Sequence, residues 1–174
     1  MKEIIVGREV AGFCGPACLA HVAKEQGVGA LSQSALASEI YDPNWGTDGE
    51  AMLRGLTLLG LSGEWRQQSL NELNEERKKG HSVIVNYMSG PNDAEDGHYS
   101  VLYAVTETTV AINNPEWVGM ITIFRREDFE RIWYDIAEDG ARQERWALVI
   151  TRPDEGDTGT TGEVFERAPY YGSA

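Results

Sequence analysis

The chain has 174 residues, 41% hydrophobic and 25% charged, which is enough for one globular domain with a real core. Its formal net charge of −13 argues against nucleic-acid binding, because neutralising phosphates needs clustered Lys and Arg. No apolar run approaches the roughly 20 residues of a membrane span, and Met1-Lys2-Glu3-Ile4-Ile5-Val6-Gly7 is too short for a signal peptide. The sequence therefore reads as a soluble, cytoplasmic protein without a membrane partner, and its oligomeric state stays open.

The segment from Gly12 to Gln26 predicts a helix, with Pro16 in its first turn and Gly27 as its stop. Ser32 to Tyr41 predicts a second helix, with Leu36 and Ile40 on one face. After the turn-rich Asp42-Pro43-Asn44-Trp45-Gly46, the Thr47-Asp48-Gly49-Glu50 stretch has the form of a capping box and opens a third helix, stopped by Gly60. Ser69-Leu70-Asn71-Glu72 repeats that pattern for a fourth helix. It ends in Arg77-Lys78-Lys79-Gly80, where basic residues complement the helix dipole.

The character then changes to strands, at 82–87, 98–105, 109–113 and 120–124. A helix is expected over 127–136 and a last strand over 146–150. From Pro153 onward Asp, Glu, Gly and Thr dominate. The expected organisation is one domain over residues 1–152 and a flexible acidic, Gly-rich tail over 153–174. Helices first and strands second make an α+β fold, with N-terminal helices packed on a C-terminal antiparallel sheet.

Chemistry concentrates at Cys14. A thiol at a helix N-terminus meets free backbone N–H groups and the positive end of the dipole, both of which favour the nucleophilic thiolate. Such a nucleophile needs a base and the base needs an orienting group. His21 lies two helical turns from Cys14, about 10 Å along the axis, too far for direct proton transfer. His81 follows a capping Gly with no evident partner. His98 opens a strand after the polar loop at 90–97, which leaves its ring open to substrate. In a hairpin closed by Thr106-Glu107-Thr108, Asn114 returns to lie beside His98 and can accept a hydrogen bond from it.

Rival readings attach to the same residues. Cys14, Cys18 and His21 are spaced i, i+4 and i+7, and with His98 could form a metal site. Structural zinc sites more often draw ligands from a knuckle with closer spacing, so no metal and no cofactor is expected. Cys18 reads as a buried small hydrophobe, and two cysteines four apart on a helix are poorly placed to bridge. Trp117 either shields the His98–Asn114 pair or simply packs at the surface. Asp93, Glu95 and Asp96 read as a solvated loop that raises the basicity of His98 or favours a basic substrate segment.

Three stretches together carry a resemblance: Cys14-Gly15-Pro16-Ala17-Cys18-Leu19-Ala20, Gly97-His98-Tyr99-Ser100-Val101-Leu102, and Asn114-Pro115 followed by a strand and Arg126 to Trp133. Their order resembles that of the papain-like cysteine peptidases related to the double-glycine, bacteriocin-processing domain, in a free-standing form. The resemblance covers Gly12 to about Asp135. It implies amide cleavage with Cys14 as nucleophile, His98 as base and Asn114 as orienter, where that family usually has Asp. It also places Arg8 where the family has an oxyanion-stabilising Gln, so the implied oxyanion donors are the Cys14 backbone N–H and Arg8. A peptide or amide is then the substrate, with an acyl-transferase or a non-catalytic binding protein on the same fold as alternatives.

Overall fold

The structure is a computed structural model that describes residues 10, 12–29, 31–89, 97–116, 121–136 and 140–152. Along them run α1 (Cys14–Glu25), α2 (Gln33–Ile40), α3 (Gly49–Leu58), β1 (Ser62–Gln67), α4 (Leu70–Lys78), β2 (Ser82–Met88) and β3 (Gly97–Val105). Then follow β4 (Thr109–Asn113), β5 (Ile121–Arg125), α5 (Arg126–Ile132), β6 (Tyr134–Ile136), β7 (Arg142–Glu144) and β8 (Trp146–Thr151).

The helix ends obey local chemistry. Ser69 and Glu72 form the full capping box of α4, each side chain taking a backbone N–H of the other's turn. At α3 the cap sits one residue later than the Thr47–Glu50 pattern suggests. Asp48 Oδ1 accepts from the Ala51 N–H at 2.7 Å, while Thr47 is buried against Gly15 and lies outside the helix. Both residue types can cap, and tertiary packing of Thr47 decides between them. Gly27 follows α1 with φ +66°, the left-handed geometry of a helix stop.

Six strands form one sheet in the order β1-β8-β2-β3-β4-β5, every pair antiparallel, and β6 and β7 form a separate two-stranded ladder. Side-chain alternation divides the interior into two cores. Ile84, Val101, Leu148 and Ile150 point to one face and pack with Cys18, Leu19, Val22, Leu36, Met52 and Leu56 of α1, α2 and α3. Val83, Val85, Tyr87, Ala147 and Val149 point to the other and pack with Leu70 and Leu73 of α4 and Phe129 of α5. The fold is thus α+β as expected, with the N-terminal helices on the sheet, and α4 and α5 cover its second face.

Helix α1 is buried nearly all round, from Gly15 through Ala23, so it is the central helix of the first core. Its C-terminal end is braced by charge. Arg77 makes a bidentate contact to Glu25 at 2.8 and 3.0 Å, and Ser82 donates to the same carboxylate. Burial alone would raise the Glu25 carboxyl, but Arg77 and Ser82 overrule it and hold it below its ordinary range.

Four elements depart from expectation: β1, α5, β6 and β7. Strand β1, absent from the sequence reading, pairs with β8 at the sheet edge. Helix α5 stops at Ile132, because Trp133 turns inward and its indole N–H donates to the Trp146 carbonyl at 3.0 Å. The chain then continues as β6 where helix was expected to run to 136. The expected tail, 153–174, lies outside the described residues.

Candidate active site

Cys14 is the first residue of α1 and is half-buried. Phe13 precedes it without a side-chain cap, so the turn presents backbone rather than a capping side chain. The turn is held from behind: Gly15 abuts Thr47 and Met52 of the α3 start, and the Phe13 and Tyr41 rings meet edge-on at 4.7 Å. One helical turn later Cys18 donates its S–H to the Tyr99 carbonyl at 3.4 Å, which seats α1 across β3 one residue beyond His98. Cys14 and Cys18, four apart, share that helix face.

His98 is the second residue of β3, and Asn114 follows the end of β4 directly. Their side chains meet, with His98 Nε2 and Asn114 Oδ1 2.8 Å apart, and both residues are about 94% buried (6% exposed). The direction of that bond follows from a second one. The Glu116 backbone N–H, which can only donate, lies 2.9 Å from the same Asn114 Oδ1. That oxygen is therefore the amide's carbonyl, and the shared proton belongs to His98 Nε2. The neutral imidazole then carries its lone pair on Nδ1, which is the nitrogen left for proton transfer.

Tyr87 of β2 stands opposite His98 in the sheet register, and their rings meet edge-on at 5.7 Å. Its hydroxyl lies 3.2 Å from Ser100 Oγ and 3.5 Å from Asn114 Nδ2. Burial pushes this phenol far above its ordinary range; the Ser100 hydrogen bond opposes that, and the nearby Cys18, Glu116 and Cys14 reinforce it. Neither Tyr87 nor Ser100 was singled out by the sequence. The signal available was the pairing of two β-branched runs, but the ten-residue connection leaves its register open.

A second buried polar group lies beside the strand position before His98. Asp135 of β6 accepts from the Ile136 N–H at 2.8 Å and from Asn86 Nδ2 at 2.7 Å, and its carboxyl borders Gly97. Burial raises this carboxyl above its ordinary range, against both hydrogen bonds.

The other sequence candidates fall elsewhere or outside the described residues. His21 is buried within α1, near enough to Glu25 to help hold that carboxyl low. His81 Nδ1 pairs with Glu76 at 2.7 Å, in the cluster at the end of α4. Arg8, Trp117, Asp93, Glu95 and Asp96 lie outside the described residues. Among the described residues, no group of three or more His, Cys, Asp or Glu is arranged to hold a metal, and no helix is long and apolar enough to cross a membrane. A surface depression bordered by Glu107, Thr109, Arg125 and Glu130 contains none of the candidate residues.

A cysteine at the head of the central helix, packed across an antiparallel sheet that carries a His–Asn pair, defines the papain-like cysteine peptidase fold. The sequence profile of the Peptidase C39 family matches residues 7–137, and the chain belongs to that family. A curated relative, an uncharacterized protein of Methanothermobacter thermautotrophicus, is 31% identical over 131 residues, covering 75% of this chain and 83% of the relative. Among solved structures, the peptidase domain of Streptococcus ComA, a bi-functional ABC transporter involved in quorum sensing, superposes with a TM-score of 0.68 at 20% identity. The match covers 86% of this chain and 99% of that one. A C39-like peptidase from Bacillus anthracis matches with a TM-score of 0.66 at 16% identity, covering 86% of this chain and 95% of the other. A double glycine motif protease from an AMS/PCAT transporter, solved in complex with its leader peptide, gives 0.59 at 16% identity, over 84% and 89% of the two chains. At these identities the solved structures establish the fold.

Proposed function

We propose that the chain is a cysteine peptidase or related amide hydrolase, with Cys14 as nucleophile, His98 as general base and acid, and Asn114 as orienter. The observation that carries this reading is the locked His98–Asn114 pair. Two donors on Asn114 Oδ1 keep the histidine proton on Nε2 and leave Nδ1 as the working nitrogen. The half-buried position of Cys14 at the α1 N-terminus supports the nucleophile assignment.

The chemistry follows from those roles. Nδ1 takes the Cys14 proton, and the thiolate adds to a substrate carbonyl carbon. The tetrahedral oxyanion is stabilised by the Cys14 backbone N–H and, in this reading, by Arg8. Nδ1–H then gives its proton to the departing amine as the C–N bond breaks, leaving a thioester on Cys14. Water loses a proton to Nδ1 as it attacks the thioester, and the thiol leaves with that proton. The substrate is a peptide: a relative of this fold was solved with a leader peptide bound. No nucleic acid, membrane or cofactor enters the reaction, and the setting is cytoplasmic.

The test is the pH dependence of Cys14 alkylation by iodoacetamide, measured against glutathione. Exposure alone would label Cys14 ahead of the buried Cys18, so the comparison between the two thiols does not decide. The expected result is a midpoint well below the ordinary thiol value of about 8.5, moving upward in His98→Ala. A profile that tracks glutathione and ignores His98→Ala would overturn the assignment.

A further inference from the structure

Asn114 holds four hydrogen-bonding positions, and orienting a histidine uses only one of them. Its Oδ1 receives His98 Nε2–H and the Glu116 N–H. Its Nδ2 can only donate, and its partner is the Tyr87 hydroxyl, at 3.5 Å, the long limit of a hydrogen bond. Tyr87 therefore accepts from Asn114, and it shares a further hydrogen bond with Ser100 Oγ at 3.2 Å, in which either hydroxyl can donate. The backbone N–H of Glu116 sets the direction of the two Asn114 side-chain bonds, to His98 and to Tyr87.

We infer that Tyr87 is a positioning residue for the His98–Asn114 pair, holding the Asn114 amide so that the histidine proton stays on Nε2. Two contacts act together. The Tyr87 ring packs edge-on against the imidazole, and the hydroxyl receives the amide nitrogen. A half-turn of the amide would face Nδ2 toward two donors and turn Oδ1 toward Tyr87. The Glu116 N–H selects the observed orientation, and in it the Tyr87 hydroxyl supplies the acceptor that Nδ2 needs. Phenylalanine would fill the same space among Phe124, Phe129 and His98, so packing alone does not account for the hydroxyl. A buried phenol needs a partner, and here it has one on each side. Its raised proton affinity keeps it a neutral donor–acceptor as pH rises.

The role of the pair at Cys14 rests on the proposed function; the Tyr87 contact itself does not. The experiment separates the two. In Cys14→Ser protein, side-chain 15N shifts of His98 report which ring nitrogen carries the proton, with Cys14→Ser/His98→Gln as the blank. The native chain is expected to show Nε2–H. Tyr87→Phe should raise the fraction of the Nδ1–H form by about 3- to 10-fold, the equilibrium value of one neutral hydrogen bond. In the Cys14-containing chain the same change should slow iodoacetamide alkylation near pH 6 and move its midpoint upward. Ser100→Ala, which keeps the ring and removes the other hydrogen-bond partner of its hydroxyl, should shift the tautomer in the same direction by less. Unchanged tautomer and alkylation profiles in a folded Tyr87→Phe protein would overturn the inference. If Tyr87→Phe does not fold, an unchanged tautomer in Ser100→Ala overturns it. A tautomer shift in a chain whose Cys14 labels like glutathione would support the Tyr87 role and overturn the peptidase reading alone.

Discussion

Gly15→Ala tests whether the turn that carries Cys14 is held by a close approach of backbone to side chain. A methyl group at residue 15 would sit 2.9 Å from Thr47 Cβ, 3.0 Å from its Cγ2 and 3.0 Å from Met52 Sδ. Ordinary carbon contacts lie near 3.5–4.0 Å, so something must retreat by about half an ångström or more. Met52 can swing its thioether aside. Thr47 is β-branched and buried, and it directly precedes the Asp48 cap of α3, so it resists. Overpacking of this kind costs about 1–3 kcal/mol, and the better helix propensity of Ala returns at most about 1 kcal/mol. The net expectation is a loss of about 1–2 kcal/mol, or roughly 2–8 °C in melting temperature for a chain of this size. Urea denaturation should show a lower midpoint at unchanged slope, and Cys14 alkylation should slow because the turn that carries it is displaced. Gly29→Ala is the control: among the described residues nothing lies within 4 Å of its added methyl, and it should gain about 0.4–1 kcal/mol from the unfolded chain. Equal shifts of the same sign in the two variants would refute the steric argument.

Two further expectations follow from titrating groups. The Glu25 carboxyl is held below its ordinary value of 4.5, so its contribution is present above about that pH and is lost as pH falls through the depressed value. Glu25→Gln should therefore be less stable than the native chain at neutral pH, with the gap closing as pH falls below 4.5 through the depressed value; a gap that persists once the carboxyl is protonated would contradict the charge-based account. Asp135 has the opposite sign: its carboxyl is raised above the ordinary 3.8, so its contribution is full below that pH and is lost as pH rises through the raised value. Asp135→Asn removes the buried charge and should gain on the native chain as pH rises from 4 to 8. Parallel melting temperatures across that range would show that Asp135 carries no such penalty.

The parts legible in the sequence are those encoded locally. Ser69 and Glu72 are three residues apart and make their own capping box, whatever surrounds them. The β-branched runs of β2 and β8 are buried on both faces and read as strands for that reason. His98 and Asn114 were brought together by a three-residue turn between β3 and β4, whose ladder shifts register between Leu102 and Ala104. What was not legible depends on distant partners. Strand β1, Ser62-Gly63-Glu64-Trp65-Arg66-Gln67, has no apolar alternation and exists because β8 offers it an edge. Its Gly63 looks like a breaker, yet a Cβ there would stand 2.6 Å from Leu56 Cδ1 and 3.0 Å from the Val149 carbonyl. Asp48 took the cap from Thr47 because of a contact with Gly15, thirty-odd residues earlier.

The same distinction explains why the His98–Asn114 contact was easier to find than the groups around it. An Asn beside a His is a short-range statement about one hairpin. Whether that Asn presents oxygen or nitrogen to the ring depends on a backbone N–H two residues later and on a phenol from the neighbouring strand. The Glu116 bond is local and would exist in many Asn-Pro turns. The Tyr87 bond requires β2 to pair with β3 so that Tyr87 stands opposite His98, and a slip of one residue would turn Tyr87 to the other face of the sheet. That register is buttressed on both faces, by Ile84 against Val101 in the first core and by Val85 and Tyr87 in the second. Core packing at the centre of the sheet thus sets the register that brings the Tyr87 hydroxyl to Asn114. Cavity-forming substitutions such as Ile84→Ala should on this account loosen the histidine's tautomer before they unfold the domain, and the 15N shifts of His98 would read that loss directly.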